Sequence, residues 1–219
     1  MKRILFIGDV VGKAGCNFVS AKLGMIKQHY GVDITVINGE NSAQGNGISR
    51  ASAQQLVRVG ADVITTGNHA FRRKNDLDIF EEDYIIRPAN YPEGGCIGRG
   101  ACTLDMGAYS VAVVNLMGTV YMGHYLTGRV SGVFGTHTHV QTADEAVLGG
   151  HTAYITDLGM TGPELSCLGV EIGPVIQRFR FHMPVMFHEA DEKCFLCGVV
   201  VEFDEKSGKS HKIERIIIR

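Results

Sequence analysis

The chain has 219 residues, of which 45% are hydrophobic and 20% are charged, and its formal net charge at pH 7 is -2. This composition is typical of a globular protein that buries a sizeable core, and the length predicts a single domain over residues 1–219. The small net charge gives no electrostatic footprint for nucleic acid, and no stretch is apolar and long enough to span a bilayer. We therefore expect a cytoplasmic protein that binds no membrane and forms no stable nucleic-acid complex.

The first half of the chain alternates short apolar runs with amphipathic stretches. The runs at 2–7, 34–37 and 63–66 are rich in β-branched residues, which predicts buried strands. The stretches at 17–29 and 52–59 have the apolar spacing of helices. This order of elements predicts parallel strands in a sheet that helices cover, so the expected fold class is α/β.

Polar side chains follow each of these predicted strands, directly after a turn. A fourth apolar run, at 130–134, is followed by two histidines whose spacing lets both imidazoles point toward one face. Any one of these turns is also explained as a solvated polar turn. However, ligands of open α/β sheets bind outside the carboxyl ends of the strands, and four such turns predict one site. Its residues are Asp9, Glu40, Asn41, Asn68, His69, His137 and His139.

This set of side chains indicates metal chemistry. Carboxylate, amide and imidazole ligands suit Mn, Fe or Zn better than Mg or Ca. A bridging carboxylate can hold two metals about 3.5–4 Å apart, which would clamp a phosphate and activate a water molecule. A nearby histidine that binds no metal could protonate the leaving oxygen. The reaction class that follows is phosphoester hydrolysis.

The rest of the chain adds further elements and few additional candidates. Strands are expected at 109–116 and 153–156, a helix at 170–180, and an antiparallel strand pair at 195–204 and 212–218. The basic cluster Arg72, Arg73 and Lys74 could attract a phosphate, although a solvated helix start is the favoured interpretation.

The six cysteines do not form the disulfide framework of a small secreted domain. Cys194 and Cys197 form a C-x-x-C pair that could be half a zinc site or a redox pair. No second such pair exists, and both residues fall in an apolar run. Buried thiols are therefore the favoured interpretation.

Several longer strings resemble one known family. They are IGDVVGKAG, NGENSAQGNGI, TTGNHAF, RPANYP, NLMGTVYM, GTHTHVQTADE and AYITDLGMTGP. Together they resemble the calcineurin-like metallophosphoesterases, in particular the bacterial YmdB-type branch, whose activity is hydrolysis of 2′,3′-cyclic nucleotides. The resemblance spans most of the chain. It implies a layered metallophosphoesterase-like fold with a C-terminal antiparallel strand pair, and a small-molecule phosphoester substrate, namely a cyclic nucleotide.

The same resemblance implies a role for each site residue. Two divalent metal ions are expected, with Fe or Mn ahead of Zn. Asp9, Asn41 and His139 would hold one ion, and Asn68 and His137 the other. Glu40 would bridge the two ions, and His69 would be the proton donor. A homo-oligomer is an assembly that the sequence permits.

The chain departs from the family between Met122 and Gly123. Members of the family carry there a helix and a strand with a D-F-H-A-E-A-type motif, whose histidine ligates the second metal. Neither His124 nor His188 is assigned this role, although Phe187-His188-Glu189-Ala190 echoes the motif. The loss leaves open a phosphomonoesterase with the same metals, and a non-catalytic member that binds a nucleotide or a protein. A third alternative is that the sequence omits residues of the natural protein.

Overall fold

The computed structural model describes residues 1–44, 46–91, 96–191 and 193–219. The strands of these residues are β1 (Lys2–Ile7), β2 (Asp9–Val10), β3 (Ile34–Asn38), β4 (Val63–Thr65), β5 (Ile85–Ile86), β6 (Ala101–Asp105), β7 (Ser110–Val114), β8 (Gly132–Phe134), β9 (Ala146–Leu148), β10 (Thr152–Ile155), β11 (Met160–Pro163), β12 (Cys194–Phe203) and β13 (Ser210–Ile218). The α-helices are α1 (Gly12–Tyr30), α2 (Arg50–Arg58), α3 (Thr119–Leu126) and α4 (Ile172–Phe181), and a 3₁₀ helix covers Lys74–Glu81.

The main sheet has eight strands and mixed directions. Its strand order is β2-β11-β12-β1-β3-β4-β5, and β13 also pairs with β12. Strands β1, β3, β4 and β5 are parallel, as the β-α-β pattern predicts. Strand β12 runs antiparallel to β1, β11 and β13. The predicted C-terminal antiparallel pair is thus confirmed as β12 and β13.

The two faces of the main sheet are covered by different elements. Alternate side chains of β1 point to opposite faces, so Leu5 packs with the buried residues of α1 and α2, whereas Ile4 and Phe6 face the other way. On that second face lie two small sheets, the hairpin β6-β7 and the three-stranded sheet β8-β10-β9. The result is a layered α/β fold, which confirms the predicted fold class.

Each of the two small sheets ends in an edge strand that, among the described residues, pairs on one side only; these edge strands are β7 and β8. In the described part of the chain, β7 pairs with β6 alone and β8 pairs with β10 alone. Helix α3 connects β7 to β8 along the chain, and it runs continuously through the Met122–Gly123 junction.

The predicted elements agree with the structure apart from their ends. Helix α1 begins at Gly12 and not at residue 17; its first residues were not predicted because residues 12–16 contain two glycines and a lysine and no large apolar side chain. Gly15 lets the helix approach β11 closely, since a Cβ at this position would lie 2.4 Å from the Thr161 carbonyl oxygen. All six cysteines are free, and Cys194 and Cys197 are buried, as predicted. Of the helices in the described ranges, none is both long enough and apolar enough to cross a membrane.

Candidate metal centre

The turns after four strands bring the predicted site residues to one edge of the fold. Strands β1, β3 and β4 are parallel neighbours, so the turns that follow them emerge side by side. The fourth turn follows β8 in the small sheet and reaches the same edge. Every residue of the predicted set makes a contact in this region or lines the cavity beside it.

Asp9 lies at the centre of the first group of contacts. Its side chain is fully buried, and its Oδ1 accepts a hydrogen bond of 2.8 Å from the Asn41 amide nitrogen. The second oxygen, Oδ2, lies 3.4 Å from Nε2 of His139. That distance is an ion-pair separation, and Oδ2 accepts no hydrogen bond of normal geometry. A buried carboxylate oxygen without a hydrogen bond is costly, so this atom is suited to a cation.

His139 is oriented by its own backbone conformation and by a carbonyl group that is 29 residues away in sequence. Its φ of 66° is in the left-handed region, which few residues with a side chain adopt. Nδ1 lies 3.3 Å from the Leu168 carbonyl oxygen, which can only accept, so Nδ1 is the donor and Nε2 faces Asp9. Burial disfavours the charged ring, but the Asp9 carboxylate outweighs it and raises the pKa of His139. This arrangement, with one nitrogen tied to a carbonyl and the other facing a carboxylate, is typical of metal-binding histidines.

Glu40 is a second buried carboxylate of the same cluster, with only 2% of its surface exposed. Its Oε2 accepts a hydrogen bond of 3.1 Å from the His69 backbone N–H. Burial, followed by the negative charge of Asp9, raises its pKa from 4.5 to about 7. The carboxylate also lies against Gly67, where a Cβ would be 2.6 Å from both of its oxygens. Any larger residue at position 67 would therefore displace Glu40.

The imidazole of His69 is held by the Asn41 side chain. Its Nδ1 lies 2.8 Å from Oδ1 of Asn41, and because an amide oxygen only accepts, Nδ1 carries the proton. Nε2 is therefore the nitrogen that can exchange a proton with another group. Burial lowers the pKa of His69; Arg72 and the two site histidines act in the same direction, and Asp9 opposes them.

Asn68 and His137 belong to the same region as Glu40. All three residues line a cavity of about 970 Å³. Asp9, Asn41 and His139 are therefore joined by direct contacts, whereas Asn68 and His137 share the lining of this cavity with Glu40.

Asp157, which was not predicted as a site residue, positions the loop that carries both histidines. Its Oδ2 accepts hydrogen bonds from the backbone N–H of His137 at 3.0 Å and of Thr138 at 2.7 Å, and from the Thr138 hydroxyl at 2.8 Å. The residue is buried and lies just after β10. The same signal that selected Asp9, an acid at the end of a strand followed by a glycine turn, could have identified it.

Three other candidates lie outside the cluster. His124 is exposed and stacks on Tyr154, with ring centroids 6.5 Å apart. His188 is also exposed. Arg73 donates to the Gln44 carbonyl oxygen and faces Asp76, which agrees with the solvated helix start.

The donor set fits a cation, with one exception. The 3.4 Å between Asp9 Oδ2 and His139 Nε2 is close to the roughly 3.0–3.4 Å that separates two ligands each about 2.1 Å from one metal. The exception is Asn41, whose amide nitrogen and not its oxygen faces Asp9; a 180° rotation of the amide would exchange the two. Counting histidine, cysteine and acid side chains alone, no group of three among the described residues is arranged to hold a metal. The amides are therefore needed to complete any site.

Comparisons with known proteins identify close relatives. A family model described as YmdB-like protein matches residues 5–124 and 120–216. The 2′,3′-cyclic-nucleotide 2′-phosphodiesterase of Bacillus subtilis (strain 168) is 38% identical, over 99% of this chain and 97% of its own length. The crystal structure of a novel phosphatase of Mycoplasma pneumoniae superposes with a TM-score of 0.94 at 28% identity, covering 99% of this chain and 93% of that one. A hypothetical protein from Thermus thermophilus superposes with a TM-score of 0.90 at 32% identity, covering 98% of both chains.

The alignments also locate a missing segment. The alignment with the Bacillus subtilis protein spans 256 positions, whereas this chain has 219 residues, so at least 37 positions have no counterpart here. The match to the family model breaks into two parts at residues 120–124. Both observations agree with the predicted loss of a segment between Met122 and Gly123.

Proposed function

Because this chain belongs to the YmdB-like family, we propose that it is a metal-dependent phosphodiesterase that hydrolyses 2′,3′-cyclic nucleotides. The chain is a hydrolytic phosphoesterase, as are its named relatives. The observation that supports the finer proposal is the pair of buried carboxylates, Asp9 and Glu40. Asp9 contacts His139 Nε2 and the Asn41 amide, and Glu40 lines the cavity together with Asn68. Such a cluster of buried acids needs cations, and cations are what a phosphate substrate requires.

The resemblance to the metallophosphoesterases suggests how the cations would be held. Asp9, Asn41 and His139 would hold one ion, Asn68 and His137 the other, and Glu40 would contact both. When bound, the ions would supply positive charge for the phosphate oxygens and would activate a water molecule. Glu40 and Asp9 would stay ionised under these conditions, because the ions offset their mutual repulsion.

His69 would supply the proton for the leaving oxygen. In the amide orientation of the structure, the Asn41 oxygen holds Nδ1–H, so Nε2 would carry the transferred proton when the ring is charged. Rotation of that amide to turn its oxygen toward an ion would remove this hydrogen bond. The lowered pKa makes the charged ring a stronger acid but reduces its population at neutral pH.

The missing segment favours one alternative. If the lost positions carry a ligand of the second ion, the site would bind a nucleotide without hydrolysing it. A phosphomonoesterase with the same ions is the other alternative, and one set of measurements separates all three.

Purified protein is loaded with Mn²⁺ or Fe²⁺, its metal content is measured, and it is assayed with 2′,3′-cyclic AMP and with 4-nitrophenyl phosphate. We expect about two ions per chain and hydrolysis of the cyclic nucleotide in preference to the monoester. Hydrolysis of the monoester alone would favour a phosphomonoesterase. Nucleotide binding without hydrolysis of either compound would favour the non-catalytic alternative.

A further inference from the structure

An apolar cavity of about 970 Å³ lies over the second face of the main sheet, between β7 and β8 of the two small sheets. Its floor is the second face of the main sheet, and its walls are β7 and β8. The apolar side chains that line it include Phe6, Val36, Val111, Val113, Val133 and Phe203. Ligand pockets typically measure about 300–1,000 Å³ and are mainly apolar, with a few convergent polar groups. This cavity has both properties.

The position of the cavity is connected with the missing segment. It lies between the edges of β7 and β8 that have no partner strand in the described ranges. Met117 and Met122, before the junction, and Leu126 and Val130, after it, also line the cavity. The extra positions of the Bacillus subtilis relative would enter the fold at this wall. The cavity therefore depends on the missing segment and not on the residues of the candidate metal centre.

The cavity is continuous with the candidate metal centre. Glu40, Asn68 and His137 form part of its lining, so a phosphate beside them would direct one substituent toward the apolar walls. At roughly 30 Å³ for each non-hydrogen atom, the volume holds about 30 such atoms. The volume therefore admits an alkyl chain of about eight carbons or more, and it is the apolar lining that favours such a chain over a polar nucleoside.

We propose that the cavity binds an elongated apolar substituent of a phosphoester substrate, and that this chain accepts alkyl phosphodiesters. The inference rests on the proposed phosphoester hydrolysis but not on a nucleotide as the substrate. In the reaction, water adds to phosphorus and the bond from phosphorus to the leaving oxygen breaks. The products are an alkyl phosphate and the alcohol or phenol. Each buried methylene group contributes up to about a fourfold gain in affinity.

A series of 4-nitrophenyl alkyl phosphates tests the proposal with a constant leaving group. Methyl, butyl and octyl esters are hydrolysed by the metal-loaded protein, and nitrophenol release is measured. We expect KM to fall at least tenfold from the methyl to the octyl ester, with a smaller change in kcat. A KM that is independent of chain length would overturn the proposal.

A cavity-filling variant locates the alkyl group. Val111→Phe adds bulk to the cavity wall, so the ratio of kcat/KM for the octyl ester to that for the methyl ester should fall at least fivefold. Ile217→Phe is the matched control, because Ile217 lies on β13 with 44% of its surface exposed and does not line the cavity. It should keep the ratio of the unmodified protein. Equal ratios in all three proteins would place the alkyl group elsewhere.

A binding measurement separates this proposal from the proposed function. The affinities of octylphosphonate and methylphosphonate are compared by calorimetry, which needs no turnover. Tighter binding of octylphosphonate to a protein that hydrolyses no ester would support the cavity and contradict the proposed function. Equal affinities would contradict the cavity. Octylphosphonate binding that disappears as the protein dimerises would also overturn the proposal, because a second chain would then fill the space.

Discussion

At the scale of single residues, the site is organised around two carboxylates that have too little positive charge near them. Asp9 is fully buried, Glu40 is nearly so, and the charge of Asp9 contributes to the raised pKa of Glu40. His139 faces Asp9 but leaves its Oδ2 without a hydrogen bond. Two buried acids in this relation are more stable when a cation lies between them.

Glu40→Gln tests the bridging role. The variant keeps the shape of the side chain but removes the charge that would offset two dications, so we expect it to lose bound metal as well as activity. Metal content is measured by atomic emission after loading and desalting. Glu82→Gln, at an exposed position, is the control and should retain its metal. Full metal content in Glu40→Gln would mean that Glu40 does not bridge.

His69→Ala tests the role of proton donor. We expect the variant to keep its metal and to lose about 10²–10⁴-fold in rate with 2′,3′-cyclic AMP, whose leaving group is an alkoxide. A 4-nitrophenyl ester should be affected much less, since nitrophenolate needs little protonation. Metal content is measured alongside, because His69 contacts Asn41. Loss of metal, or equal slowing of both substrates, would contradict the assignment.

At the scale of elements, the loop after β8 depends on an acid that follows β10. Asp157 accepts three hydrogen bonds from His137 and Thr138, and its other oxygen accepts one of 2.8 Å from the Gly159 N–H. The side chain thus holds the loop that presents both histidines. Groups that orient metal ligands in this way typically affect metal affinity when they are removed.

Asp157→Ala should therefore weaken metal binding by about 10–100-fold, although Asp157 is not itself a predicted ligand. The dissociation constant for Mn²⁺ is measured by competition with a chelating dye. Asp144→Ala is a matched control, because Asp144 accepts hydrogen bonds from Thr142 and Thr156 but not from the histidine loop. Its metal affinity should be unchanged. If both variants lose metal affinity equally, the effect comes from a general loss of structural stability and not from the orientation of the histidines.

At the scale of the whole molecule, the buried acids make the stability of the metal-free protein depend on pH. The pKa of Glu40 is about 7 in the folded protein and 4.5 when unperturbed, so the folded state binds more protons between these values. The free energy of unfolding therefore falls as pH rises from about 4.5 through 7. The raised pKa of His139 acts in the same direction as pH rises above 6.5, whereas the lowered pKa of His69 acts in the opposite direction.

Urea unfolding of EDTA-treated protein at pH 5 and pH 8 should show this dependence. The contribution of Glu40 between these two pH values amounts to about 2.5 kcal/mol lost at the higher pH. The Glu40→Gln variant has no charge to bury, so its loss between the two pH values should be smaller by about that amount. Parallel pH profiles for the two proteins would contradict the raised pKa.

Local sequence patterns were sufficient to predict much of this fold. The β-branched runs and helical spacing predicted β1, β3, β4, α1 and α2, because burial of alternate faces imposes these periods on neighbouring residues. Asp9, Glu40 and Asn68 could be predicted as site residues because each follows a parallel strand. The carboxyl ends of parallel strands lie at one edge of a sheet, whatever the order of the strands. Their ligand roles, and the acid role of His69, stay predictions.

Contacts between distant segments required the tertiary structure. The unpartnered Oδ2 of Asp9, the Leu168 carbonyl that orients His139, and the support from Asp157 depend on which strands pair and which loops meet at their ends. Local periodicity does not encode strand order, so these contacts could not be predicted from it. The same holds for the cavity between β7 and β8. The sequence indicated a missing segment, but only the packing of two small sheets on the main sheet turns that loss into a space beside Glu40.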